Sequence, residues 1–168
     1  MQLRAMKPHE IDEVDTLIRT AFLTAPVTDG SERDMVKRLR SSTGYLPEQE
    51  LIALDDRIVG HILTTRIVID STAGPVNALE VTPLCAASVH RCRGIGALLM
   101  EEALNRGRAA EFPAVFLVGD PRYYARFGFR PVAEIGIHNA SSIPDDVVLG
   151  IELEPGTLDG TDGSVTLV

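Results

Sequence analysis

The chain has 168 residues, 45% hydrophobic and 24% charged, with 16 Lys and Arg against 24 Asp and Glu for a formal net charge of −8. Length and composition predict one folded domain, 1–168, with a sizeable core. The acidic balance argues against nucleic acid as the main partner, because that binding rests on neutralising phosphates. It suits a cationic acceptor such as an amine, or serves only to keep the protein in solution. No apolar run reaches the length that spans a bilayer, and the opening MQLRAMKPHE lacks a signal-peptide core. A cytoplasmic protein with no membrane partner is therefore expected. Cys85 and Cys92 are too few for a disulfide framework, and their spacing does not suit zinc, so no metal is expected.

Taken in order, residues 3–6 read as a short first strand. Pro8 suits the first turn of a helix, where its missing N–H costs little. Apolar positions at 11, 14, 17, 18, 21 and 22 then form a helical stripe. Residues 24–29 break that pattern. Asp29 or Ser31 is a candidate cap for a second helix over 32–40, with Met35, Val36 and Leu39 inward. Residues 50–54 and 57–70, separated by Asp55-Asp56, predict a β-hairpin in which Gly60 marks a bulge. Residues 71–75 make a turn. Residues 77–89 read as a longer strand, and Pro83 inside it predicts a bulge or a splayed edge.

A helix is predicted over 94–110. Leu98, Leu99, Ala103 and Leu104 face inward, and Glu101, Glu102, Arg106 and Arg108 outward. Pro113 precedes a strand at 114–118. Asp120 as a cap and Pro121 at the first helical position start a short helix that stops at Gly128. Residues 129–137 read as a strand, 139–146 as a loop and 147–153 as the last clear strand. The closing 155–168 is turn-rich, with an edge strand at 164–168.

The stretch RCRGIGALLM, residues 91–100, has the chemistry of a phosphate site. A helix start carries N–H groups without partners and partial positive charge. Gly94 and Gly96 let an anion approach that backbone, and Arg91 and Arg93 add forked donors. Together these features predict a pyrophosphate cradle over Arg91, Cys92, Arg93, Gly94, Ile95, Gly96 and Ala97.

The Arg-x-x-Gly-x-Gly spacing resembles the acyl-CoA signature of GNAT-type N-acetyltransferases. A second stretch, GDPRYYARFGFRP at 119–131, resembles the fifth strand, fourth helix and sixth strand of that superfamily. Its Tyr124 stands four residues before Gly128-Phe129, and its wording is nearest to the YhbS-like subgroup. The resemblance implies an α+β fold: a mixed, mostly antiparallel sheet of about seven strands flanked by about four helices, splayed at strands 4 and 5.

It also implies an enzyme that moves an acetyl or short acyl group from acetyl-CoA to a primary amine, by direct transfer in a ternary complex. The acceptor would be a small molecule or a peptide. Cys85, Ala86 and Ala87, just after the strand-4 bulge, would pair with the pantetheine arm, and one of their N–H groups would serve the oxyanion. Tyr124 fills the place of the general acid that protonates the leaving thiolate. Glu80, on the fourth strand, is the candidate base; the competing reading is an exposed or salt-bridged strand residue. His61 titrates in a useful range, but a lone strand histidine is more often structural.

A covalent acyl-Cys85 has no visible His–Asp support, so a small buried residue is the simpler reading there. Arg126 and Arg130 face solvent or the adenosine phosphate. The family places acceptor-binding residues on the first two helices and the loop between them. Its members are often dimers, so a homodimer is a state the resemblance allows. The alternative function is a non-catalytic acyl-CoA sensor on the same fold. A dinucleotide fold lacks its third glycine, since Leu99 stands there, and no nucleotide phosphate loop is present.

Overall fold

The computed structural model describes residues 1–23 and 30–168. The predicted break at 24–29 and the Asp29 cap therefore lie outside the described residues. The chain divides into two compact units, Met1–Thr65 with Thr82–Ala103, and Arg66–Val81 with Leu104–Val168.

In the first unit, β1 (Gln2–Ala5) leads through a 3-10 turn at Pro8–Glu10 into α1 (Ile11–Phe22). Pro8 sits at the start of that turn, as its fixed φ favours. α2 (Glu32–Arg40) follows, then β2 (Glu50–Asp55), β3 (Arg57–Ser71) and β4 (Val76–Ala86), with α3 at Ile95–Ala109. β3, β4 and α3 each give residues to both units. β1 and β2 pair antiparallel, as do β2 and β3, and β4 neighbours β3. Ala53 pairs with Gly60 but Leu54 with Ile58, so Val59 is the extra residue of a bulge beside Gly60, close to the expected place. A Cβ at Gly60 would collide with Ile95 and Leu99, so glycine there seats the start of α3 against the strand.

Val14, Leu17, Ile18 and Ala21 of α1 pack with Val36, Ile52, Ile58, Leu63 and Cys85. Each of the Val, Leu and Ile side chains among them contributes about 1.5–3 kcal/mol when fully buried. Ile95, Leu99, Met100 and Ala103 are buried on α3, whereas Leu98 is 40% exposed. The inward placement of Leu98 was therefore wrong: it falls outside the arc that positions 95, 99, 100 and 103 define on a 3.6-residue helix. The predicted strand 77–89 also ends sooner, at Ala86, and a 3-10 turn takes Ser88–His90.

In the second unit, β5 (Ala114–Val118) is followed by α4 (Pro121–Tyr124), β6 (Arg130–Pro131), β7 (Ile137–Asn139), β8 (Val148–Glu152) and β9 (Gly163–Val165). β5 pairs antiparallel with β8 over its full length, but parallel with β4 only at Leu79↔Val115 and Glu80↔Phe116. β6 pairs with β8 on its other side.

The expected strand over 129–137 is broken into β6, a 3-10 turn at Val132–Ile135 and β7. Pro131 has no N–H to give a ladder, and Gly136 at φ 75° closes the turn. β9 is not the edge strand expected: it pairs antiparallel with β3 and parallel with β7. Its core joins Ile69, Ala78, Phe116, Val132, Ile137, Val148 and Val165. The described residues thus form nine strands and four α-helices, mixed and mostly antiparallel as expected.

Candidate active site

The predicted cradle occupies one continuous stretch of the first unit. Cys85 is buried, and Ala86 and Ala87 are half-buried at the end of β4. The Ala87 N–H donates to Val59 O at 2.8 Å, so of the three expected donors its amide is already spent on β3. After the 3-10 turn, Cys92 (φ 58°) and Gly94 (φ 79°) adopt left-handed backbone. Nothing lies within 4 Å of a Cβ built at Gly94, so φ rather than space calls for glycine there.

Leu98 N donates to Gly94 O at 3.0 Å, which begins the helical ladder. The N–H groups of Ile95, Gly96 and Ala97 precede that first bond and have no partner within the helix. Arg91, Cys92, Arg93 and Gly94 are exposed, Gly96 and Ala97 half-buried, and Ile95 buried. The arrangement offers an anion a row of main-chain donors at the positive end of a fifteen-residue helix. Arg91 does not simply face outward, since its Nη2 donates to Ala21 O at the end of α1.

The Cys85 thiol is pushed up to about 12 by burial, so it stays protonated and is no nucleophile at neutral pH. His61 is fully buried, with Nε2 2.9 Å from Glu50 Oε1. Burial pushes its pKa down, so the neutral ring donates Nε2–H to a carboxylate that can only accept. Glu50 also receives Arg40 Nη2 at 2.7 Å and the Tyr45 hydroxyl at 2.7 Å. Burial alone would raise its pKa, but the His61 and Arg40 hydrogen bonds prevail and hold it at about 2. Arg40 Nη1 reaches Asp15 of α1 at 2.7 Å.

Sequence reasoning missed this cluster, apart from His61. Its members come from α1, α2, β2, β3 and the segment before β2, and no local spacing joins them. Between α1 and α2 lies a cavity of about 480 Å³, walled by Ile18, Phe22 and Leu23 on one side and Glu32 and Arg33 on the other.

In the second unit, Asp120 caps α4 by accepting Arg122 N–H at 2.9 Å, with Pro121 first in the helix. Gly128, at φ 94°, closes the turn that follows. Tyr124 sits between these signals. Its ring stands edge-on to Phe129, with centroids 6.0 Å apart, and to Tyr123, 4.9 Å apart. It lies so close to Gly119 that a Cβ there would overlap it. Burial, and then the nearby Tyr123, push its hydroxyl up to about 12. No hydrogen-bond partner for that hydroxyl occurs among the described residues.

Tyr123 instead carries Arg126 stacked 4.5 Å above its ring. Glu80 is buried on β4, where its Oε1 accepts Val168 N–H at 3.0 Å. The Val168 contact of Glu80 and the ring contacts of Tyr124 have no residue in common. Among the described residues no cluster of His, Cys, Asp and Glu could hold a metal ion, and no helix is long and apolar enough to cross a membrane.

A family model described as an acetyltransferase (GNAT) domain matches residues 2–132. The N-acetyltransferase YhbS of Escherichia coli K12 is 27% identical over 135 residues, 79% of this chain and 75% of YhbS. YjhQ, a second N-acetyltransferase of that strain, is 27% identical over 136 residues, 77% of this chain and 75% of its own. Among solved structures, E. coli YhbS in complex with CoA superposes with a TM-score of 0.85 at 23% identity, covering 99% of this chain and 89% of that one. A GNAT-family acetyltransferase from Brucella melitensis in complex with acetyl-CoA gives 0.74 at 22% identity, covering 92% and 88%.

Proposed function

The chain belongs to the GNAT acetyltransferase family, and from that premise we propose that it is a cytoplasmic N-acetyltransferase, one catalytic domain over 1–168, moving an acetyl or short acyl group from acetyl-CoA to a primary amine. The observation that carries the reading is the turn at 91–97, with left-handed backbone at Cys92 and Gly94 opening onto the first amides of α3. Those N–H groups would hold the diphosphate, with Arg93 exposed beside them. The main chain at Cys85 and Ala86 would pair with the pantetheine arm.

Acetyl-CoA supplies the activated acyl carbon. A C–N bond forms to the neutral amine and the C–S bond breaks. In our reading Glu80 takes the proton that leaves the amine, directly or through a water, and Tyr124 gives its proton to the departing sulfur. Burial raises the Tyr124 hydroxyl to about 12, so it gives up its proton only to a strong base released beside it. A thiolate released away from water would be made more basic by the same loss of hydration, which is the condition this transfer requires. The acceptor is a small molecule or a peptide bearing a free amine.

Thiol release from acetyl-CoA across a panel of amines tests the reading, with thermal shift by CoA, NAD and ATP beside it. CoA should raise the melting temperature where NAD and ATP do not. Tyr124→Phe should lower kcat about a hundredfold, within the range of general-acid contributions, while CoA affinity stays within about twofold. CoA binding without turnover on any amine would instead make the protein an acyl-CoA sensor.

A further inference from the structure

Arg91 has its main chain in the turn and its side chain on another element. Its N–H donates to Ser88 O, as part of the 3-10 turn that leads into the left-handed residues. Its Nη2 donates to Ala21 O, seventy positions earlier in the chain. Ala21 is in the last turn of α1, where carbonyls have no partner within the helix and the helix dipole is negative. A guanidinium is well matched to such a carbonyl. The rest of α1 is held by other means: Glu13 accepts Ile58 N–H at 3.1 Å, and Asp15 meets Arg40. The end of the helix, where Ile18, Phe22 and Leu23 wall the cavity, is the part that Arg91 secures.

We propose that Arg91 is a positioning residue that couples occupancy of the turn by CoA to the order of the last turn of α1. The proposal rests on the reading that the turn holds CoA. A ligand that fixes the main chain of residues 91–94 narrows the positions from which the Arg91 side chain can hold Ala21. The Ala21 contact is then made for a larger share of the time, and the cavity wall firms as CoA binds. Coupling of this kind is reciprocal, so whatever steadies the end of α1 also tightens CoA.

Hydrogen exchange of the full chain, read on peptides covering residues 15–23 with and without saturating CoA, tests this. Thermal shift by CoA is measured on the same samples. In the wild type, CoA should slow exchange at 20–23 about threefold or more. In Arg91→Met, which keeps an apolar stem, CoA should still raise the melting temperature but leave exchange at 20–23 unchanged. Arg91→Lys, which can still donate to a carbonyl, should regain part of the slowing.

Wild-type protein that binds CoA with no change at 20–23 overturns the coupling. Faster exchange there also overturns it, since the guanidinium would then have been drawn off Ala21 by the ligand. An Arg91→Met variant that slows as much as the wild type overturns it, as does one that loses CoA binding, which would make Arg91 a direct ligand contact. If Arg91→Met does not fold, the wild-type and Arg91→Lys samples decide. Wild-type protein that fails to bind CoA refutes the reading beneath, and the coupling with it.

Discussion

Two regions of the first unit are built in opposite ways. Arg40, Tyr45 and His61 converge on Glu50 in the interior, with Asp15 behind Arg40, and the main chain serves only to bring them there. Around Gly94 the main chain is the surface we propose for CoA, and the side chains of Arg91, Cys92 and Arg93 are exposed beside it. The first region depends on charges removed from water, which makes it costly to disturb. The second depends on dihedral angles and on amides that the helix leaves unpaired. A substitution in the first should be felt as lost stability, and one in the second as lost ligand.

The largest effect expected is that of Arg40→Met. The Arg40 side chain is 9% exposed and bridges Asp15 and Glu50. Its loss leaves Glu50 buried without a cation and Asp15 with only Lys37 at 4.0 Å, and a buried pair broken on one side costs about 3–5 kcal/mol. That is a large part of the about 5–15 kcal/mol by which domains are stable. Urea unfolding should show the loss, while the folded fraction binds CoA within about threefold of the wild type. An unchanged urea midpoint would dissolve the contrast, because the network would then be no more than an arrangement of surface charge.

Gly94→Val sharpens the comparison from the other side, with a smaller stability change. A Cβ meets no neighbour there, so the main cost is the strain of a β-branched residue at φ 79°, about 1–3 kcal/mol. Relief of that strain turns the first amides of α3 away from a common point. CoA affinity should fall about tenfold or more, equal to at least about 1.4 kcal/mol, measured by calorimetry on folded protein. A variant that keeps full affinity would show that the turn is not where the diphosphate rests.

The two regions also differ in how far they can be read from sequence. Glycine spacing, the Asp120-Pro121 start and the Gly128 stop are local signals, so the turn before α3 and the setting of Tyr124 were legible. Pro131 and Gly136 were local signals as well, and reading through them produced one long strand where the chain makes two short ones. The pairing of β9 with β3 and β7 is not local, because it depends on where a turn-rich tail comes to lie. Asp15, Arg40, Glu50 and His61 each read as an ordinary polar residue of a helix or strand, and only the folded chain brings them within hydrogen-bond reach. Arg91 was legible as a charge beside the glycines but not as a ligand of Ala21, since nothing near it in the chain points to α1.

The smallest effect expected is the pH dependence of the buried cluster. Two of its groups change charge on acidification, and both have folded pKa values below their ordinary ones: Glu50 at about 2 against 4.5, and His61 below 6.5. In each case the unfolded chain binds the proton more readily, so stability rises with pH across the gap and is lost on acidification. For His61 the loss begins as pH falls below about 6.5, where the unfolded ring charges and the buried one does not. For Glu50 it begins near 4.5 and continues toward 2, a range it shares with Glu10, whose hydrogen bonds from Arg4 hold it at about 2 as well. The melting temperature should therefore be level from pH 8 to 7 and decline in two stages below that. His61→Gln, which keeps an N–H for Glu50, should abolish the first stage and leave the second. A first stage that survives in His61→Gln would assign it to another group. It would also leave the buried cluster indifferent to pH above 5.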